Sequence, residues 1–302
     1  MKILVTGASG LLGATLCYQW GKNPTLEVLG TYNVNEIIPM GFEVFWLDLL
    51  DSERLSRLIE TFHPDWIVHC AAKTNLDWCE ANPMLALKIN VEVSAHLSAI
   101  ASQQGIRVIY ISTDSVFSGE KCWYNESDTV GPVNHYARTK LMAETVFYPF
   151  KDIIVRCSFY GWNLPGQQRG LFQFFYDQLC SGEYIDGWRD VYFSPLSTFQ
   201  MADVLLDMMQ RGWDGGLYHL GSLWGGSKYE FALELCEIFD LIPRVRRIPY
   251  VLSGLVQRPM NITLNTAKLS SKLGRYLLLS DGLNGLKKFF DTDIPQFRSM
   301  MR

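Results

Sequence analysis

The sequence predicts an α/β protein: a doubly wound parallel sheet with a smaller C-terminal lobe. Three observations point that way. Short apolar, β-branched runs alternate with stretches of helical periodicity through the first half of the 302 residues, the pattern of a parallel sheet covered by helices on both faces. A glycine-rich turn, TGASGLLG at 6–13, separates the first such run from the first helix. After Gly161 the alternation breaks into loops and isolated helices.

Each element has a local reason. KILVT (2–6) is short, apolar and β-branched, so it reads as a buried strand. Leu11, Leu12, Leu16 and Trp20 follow at helical spacing. EVLGT (27–31) and EVFWLD (43–48) are the next strand candidates. Asp51 and Ser52 cap a helix reaching Phe62. DWIVHCAA (65–72) is a buried strand, and Asn82-Pro83 opens a helix that runs to about Gln104 and stops at Gly105. RVIYIST (107–113) is a strand, a helix surrounds HYARTKLMAETVF (135–147), and DIIVRCS (152–158) is the sixth strand. Right-handed crossovers make this series doubly wound. Further on, 162–170 and 182–190 read as loops, 171–180 and 201–210 as helices, and GLYHLG (216–221) as a strand. Ser227 with Glu230 forms a capping box for a helix through Phe239. The expected division is a domain at 1–160 and a lobe at 161–302, with elements between about 191 and 225 returning to the main domain.

Composition narrows the partners. With 27 basic and 31 acidic residues the net charge is -4, and no Lys/Arg block suggests nucleic acid. The seven cysteines (17, 70, 79, 122, 157, 180 and 236) form no C-x-x-C pair, which argues against zinc ribbons and dithiol sites and fits reduced thiols in a cytoplasm. MKILVTGASG does not read as a signal peptide. No run of about 20 apolar residues suggests a membrane span.

The turn at 6–13 sits where a dinucleotide's pyrophosphate binds in a Rossmann sheet. Gly7 and Gly10 let the phosphates approach the backbone, the helix N-terminus favours their charge, and Gly13 lets helix and sheet pack closely. The ribose is read after the second strand, where TYNVNE (31–36) offers Tyr32 and Asn33. At that point stands neither Asp nor Arg, and the lack of an acid there to repel a 2′-phosphate slightly favours NADP over NAD.

YARTK (136–140) spaces Tyr136 and Lys140 on one helix face, with Cβ atoms about 6 Å apart. Tyr18 and Lys22 share that spacing. Position separates the two pairs. In a doubly wound sheet, ligands lie beyond the carboxyl ends of the strands, and Tyr136 follows the fifth strand, whereas Tyr18 and Lys22 lie late in the first helix. An ammonium and an oxidised nicotinamide both stabilise a phenolate. Tyr136 then suits proton donation to a carbonyl as hydride arrives, with Thr113 hydrogen-bonding the same oxygen and Lys140 holding the nicotinamide ribose.

The G-x-x-G-x-x-G turn and DLLD (48–51) resemble the extended branch of the short-chain dehydrogenase/reductase superfamily. CAAKTNLDWCEANP (70–83), KIN (88–90), STDSVFSG (112–119), YARTKLMAE (136–144), GGLYHLG (215–221) and RPMNITLNTAKL (258–269) are similar to the dTDP-4-dehydrorhamnose reductase family within it. That resemblance implies NAD(P)H-dependent reduction of the C4 ketone of a nucleotide-linked 6-deoxyhexose, with Thr113, Tyr136 and Lys140 as the catalytic triad. For the cofactor it implies Gly7, Ser9, Gly10, Leu11, Leu12, Gly13, Tyr32, Asn33, Asp48 and Leu49 at the adenine, Cys70, Ala71, Ala72, Lys73, Asn90 and Ser112, besides Tyr136 and Lys140. For the sugar nucleotide it implies Thr74, Asp114, Ser115, Val116, Phe117, Trp162, Arg258 and Asn261, the arginine forking onto a pyrophosphate. A homodimer is possible.

Departures qualify the match. Ser115 replaces a common tyrosine. Thr15 stands where some relatives carry a metal-binding glutamate, so no metal site is expected. SFYGWN (158–163) sends Trp162 and Asn163 toward the cleft. The family also contains an NADP-binding regulatory subunit of methionine adenosyltransferase, which makes a non-catalytic role the second reading. A sugar-nucleotide epimerase or dehydratase is the third. Ser115, where a dehydratase usually carries an acid, argues against the dehydratase.

Overall fold

A computed structural model describes residues 1–164, 169–251 and 256–298. Seven parallel strands form the central sheet: β1 (Lys2–Thr6), β2 (Glu27–Tyr32), β3 (Glu43–Trp46), β4 (Trp66–His69), β5 (Arg107–Ile111), β6 (Ile153–Cys157) and β7 (Gly216–Leu220). Their order is β7-β6-β5-β4-β1-β2-β3. β1 is the pivot, with Ile3 opposite Val28 on one side and Trp66 on the other. The winding reverses there, and a crevice opens beyond the carboxyl ends of β1 and β4.

Each face of the sheet has its own apolar layer. On one face Leu55, Ile59, Leu97, Ala101 and Phe147 pack over Leu4, Ile67 and Tyr110. On the other, Leu12 and Leu16 join Met201, Leu205 and the lobe's aromatics. The seventh strand extends the sheet at β6.

Helix boundaries follow their caps. Asp51 Oδ1 accepts from Arg54 N at 3.0 Å and starts Ser52–Phe62. The helix expected at 201–210 begins earlier, at Thr198, because Ser197 and Gln200 form a reciprocal capping box. The 83–103 run is continuous but carries a π-turn at Lys88–Glu92, a widening often found at functional sites. By length and composition this run, Pro83–Gln103, is apolar enough to cross a membrane, contrary to the sequence expectation. Here its inner face, including Leu97 and Ala101, packs on the sheet, and Lys88, Glu92 and His96 are exposed.

Two segments differ from expectation in the lobe. GEYIDGWRD (182–190), expected as a loop, contains a strand, Ile185–Trp188, paired in parallel with Val245–Ile248. Its Glu, Asp, Gly and Arg content masks a pairing made over a distance of about 60 residues in the chain. Trp162, expected at the cleft, is 1% exposed. Its ring meets Phe172, Tyr176 and Phe290, each at 4.9 Å between centroids, and its Nε1 donates to Leu286 O at 3.0 Å. It is the centre of the lobe's aromatic core.

Tyr18 and Lys22 also have a structural task. Lys22 Nζ lies 4.1 Å from the Tyr18 ring centroid and 2.6 Å from Asp293 Oδ1, and Tyr18 donates to the same carboxylate oxygen at 3.2 Å. The pair pins the C-terminal helices to the first helix, well away from the crevice.

Truncation of a buried indole of this kind costs about 3–5 kcal/mol. Trp162→Ala is therefore expected to lower the urea midpoint sharply, while the folded fraction keeps its nucleotide affinity.

Candidate active site

The crevice is built from backbone first. Gly7 has φ of 70°, a conformation that side chains disfavour, and a Cβ there would stand 2.9 Å from Ala71 N and Cα. A Cβ at Gly13 would run into the Gly7 carbonyl. The first helix, Leu11–Gly21, starts at Gly10 with no side-chain cap, so its leading N–H groups point at the crevice as anion donors.

A polar stack fixes the neighbouring rim. Thr6 Oγ1 accepts from Ala71 N at 3.2 Å and lies 2.7 Å from His69 Nδ1, while His69 Nε2 lies 3.1 Å from Ser94 Oγ. Burial, with the Lys140 charge adding to it, pushes the imidazole down to about 3, so His69 is neutral. Asn90, on the π-turn, accepts from Lys73 N at 2.8 Å and donates to Lys73 O at 3.1 Å and Thr139 Oγ1 at 2.9 Å. Asn90, expected as a cofactor contact, thus fastens the 71–74 loop to the helix His135–Glu144 and does not line the crevice.

Two contiguous cavities fill the crevice. One, of about 400 Å³, is lined by Gly7, Ser9, Gly10, Tyr32, Asn33, Asp48, Leu49, Cys70, Ala71, Ala72 and Lys73. The other, of about 610 Å³, is lined by Leu11, Leu12, Gly13, Thr74, Ser112, Thr113, Asp114, Tyr136 and Arg258. Asp48 also shapes its own turn, its Oδ1 accepting from Leu50 N at 3.0 Å. Asn163, Arg169 and Cys157 line the second cavity too. Cys157 falls in the segment after the sixth strand, where the topology places ligands, whereas no motif marks Arg169.

Tyr136 is on the first turn of its helix, started by Asn134, whose Oδ1 accepts from Ala137 N at 2.9 Å. Burial pushes the phenol above its ordinary value; the neighbouring Thr113 hydroxyl pulls it down and the Asp114 carboxylate adds to the push. Lys140, one turn on, is 3% exposed, with Nζ 4.1 Å from the Tyr110 ring centroid. Burial lowers its ammonium to about 8, while Cys157, Cys70 and Glu144 raise it. The phenol and the Thr113 hydroxyl thus line one cavity, while the Lys140 ammonium, expected at the same rim, is buried behind Cys70 and Cys157, which line that cavity too; a phenol and a hydroxyl so placed can serve a carbonyl oxygen.

Other expected residues lie elsewhere. Val116 and Phe117 are fully buried, with Phe117 stacked on Tyr124 at 4.1 Å; both belong to a small core, not to the substrate cavity. Asn261 Oδ1 accepts from Thr263 N and Oγ1 at 3.1 and 2.8 Å, closing its own loop. Ser115 N donates to Thr113 Oγ1 at 3.1 Å, steadying the threonine from behind.

The profile of the RmlD substrate binding domain family matches residues 1–278. The chain belongs to this family. Among curated relatives, the probable low-salt glycan biosynthesis reductase Agl14 of Haloferax volcanii is 28% identical over 96% of this chain and 98% of its own length. Methionine adenosyltransferase 2 subunit beta of Xenopus tropicalis is 30% identical over 90% of this chain and 82% of its own. The solved structure of a hypothetical dTDP-4-dehydrorhamnose reductase from Sulfolobus tokodaii superposes with a TM-score of 0.82 at 31% identity, covering 93% of this chain and 99% of that one.

The uncapped helix start of this RmlD-type crevice gives a direct test. Gly10→Glu places a carboxylate among donors arranged for an anion, so calorimetric titration with NADPH is expected to show loss of binding. Retained affinity would remove the pyrophosphate from this turn.

Proposed function

We propose that this chain is an NAD(P)-dependent oxidoreductase that reduces the C4 ketone of a nucleotide-activated 6-deoxyhexose. The observation that carries the reading is that Thr113 and Tyr136 line the cavity floored by the glycine turn, with Lys140 buried one helical turn after the phenol. The Gly7–Gly13 cradle suits a pyrophosphate, Asp48 and Leu49 an adenine, and Tyr32 and Asn33 a ribose. The uncharged residues at the ribose end favour NADP slightly over NAD. The bound dinucleotide supplies the hydride. Thr113 and Tyr136 orient the ketone oxygen, and Tyr136 delivers the proton to it. The nearby Lys140 charge steadies the phenolate that remains. The sugar nucleotide lies in the larger cavity, with Arg258 toward its phosphates. We place the protein in the cytoplasm, and a homodimer is compatible with this reading.

A second reading has its own support. The 30% identity to methionine adenosyltransferase 2 subunit beta favours a dinucleotide-binding regulatory chain. NADPH and NADH oxidation against a panel of nucleotide-4-keto-6-deoxy sugars separates the two. Turnover with one of them supports the reductase; tight dinucleotide binding without any turnover supports the regulator.

Tyr136→Phe is expected to lower kcat by about 10²-fold or more with NADPH affinity unchanged; wild-type turnover in this variant would remove Tyr136 as the acid. Lys140 carries charge below about 8 and loses it as pH rises. The alkaline arm of the rate profile is therefore expected near that pH, not near the ~10.4 of an ordinary lysine. Lys140→Arg should carry the arm upward at a lower plateau.

A further inference from the structure

Arg169 belongs to none of the motifs in the sequence, yet it lines the larger cavity together with Ser9, Gly10 and Leu11 of the glycine turn. It stands on the lobe, just before the helix Leu171–Cys180. The backbone there is fixed against the first helix. Gly170 N donates to Asn163 Oδ1 at 2.9 Å, and Asn163 is itself buried on the cavity wall. A Cβ built on Gly170 would lie 3.6 Å from Leu11 Cδ2, in van der Waals contact with the residue that opens the first helix. The lobe therefore reaches across the crevice to the glycine turn, and Arg169 brings a charge to that crossing.

The side chain is held from behind. Arg169 Nε lies 3.4 Å from Asp177 Oδ2, and Asp177 Oδ1 accepts from Gln173 Nε2 at 2.7 Å. Gln173 and Asp177 are one turn apart on the helix that follows, so the carboxylate is braced where the arginine meets it. A guanidinium gripped at Nε keeps the edge formed by its two Nη atoms for a second partner. The Arg169 side chain is 58% exposed. An ion pair this open adds little to stability; what it does is aim the guanidinium.

The surroundings decide what that edge meets. The acids on the same cavity, Asp77 and Asp114, stand on the segments after β4 and β5, whereas Arg169 adjoins the first helix. The glycine turn offers backbone N–H groups to a pyrophosphate from the sheet side alone. A pyrophosphate has more acceptor oxygens than one turn can cover, and its outer oxygens suit a guanidinium fork. We propose that Arg169 binds the dinucleotide's pyrophosphate from the lobe, closing over the phosphates seated on the glycine turn. Arg258, on a separate segment, is then left to the sugar nucleotide. The inference rests on dinucleotide binding, which the reductase and regulator readings share.

Calorimetric titration with NADPH, ADP-ribose and dTDP tests it. ADP-ribose keeps the pyrophosphate and lacks the nicotinamide. Arg169→Gln is expected to weaken NADPH and ADP-ribose alike, about tenfold, and to leave any binding of dTDP to the NADPH-saturated protein unchanged. Asp177→Asn, which breaks the ion pair but keeps the guanidinium, is expected to bind both dinucleotide ligands as tightly as the wild type or more so. Unchanged NADPH affinity in Arg169→Gln would overturn the inference. So would a loss for dTDP, which would move Arg169 to the sugar nucleotide, or a loss for NADPH but not for ADP-ribose, which would move it to the nicotinamide. An equal loss in Asp177→Asn would make the pair structural and overturn it too. A wild-type chain that binds neither NADPH nor ADP-ribose would overturn the cofactor reading itself, and this inference with it.

Discussion

One buried ion pair holds the site in register. Arg156, on β6, meets Glu144, at the end of the helix that carries Tyr136 and Lys140, through Nη2 to Oε2 at 2.7 Å and Nε to Oε1 at 3.0 Å. Ser112, the residue before Thr113, donates to Glu144 Oε1 at 2.5 Å. A single carboxylate therefore ties the Tyr136 helix to the ends of both strands that border it. Both side chains are nearly inaccessible, at 6% and 7%. Breaking such a pair leaves an uncompensated buried charge at a cost of about 3–5 kcal/mol. The guanidinium also lies 5.2 Å from the Phe117 ring, so the small core that claims Phe117 supports the same anchor.

This anchor explains how Lys140 keeps a position that burial opposes. Its ammonium has the Tyr110 face beneath it, and Tyr110 is itself locked by stacking on Phe147 at 4.7 Å. A helix held loosely would let Lys140 swing to water and recover its hydration. Held at Glu144, one turn further on, the helix keeps the ammonium inside, where a low local dielectric strengthens its attraction to the Tyr110 face and to Glu144.

Periodicity and turn chemistry made most of the scaffold legible. Buried parallel strands are largely apolar, and the caps at Asp51 and Ser227 are local features, so strand positions and those helix starts follow from short windows, whereas the Ser197 cap was passed over and its helix placed three residues late. The choice of Tyr136 over Tyr18 was also legible, because it depends on the strand end at which each residue stands. What was not legible is which of two adjacent spaces a side chain enters. Trp162 and Asn163 are neighbours, yet one fills the lobe's core and the other lines the cavity. Val116 and Phe117 follow Asp114 within one short turn and point away from it.

The crevice therefore recognises its two ends by different means. At the glycine turn, recognition rests on backbone N–H groups and on the absence of Cβ atoms, properties that few substitutions leave intact. At the other end the cavity is lined by side chains, Asp114 and Arg258 among them, set on separate segments. A residue at that end can change without disturbing the cradle.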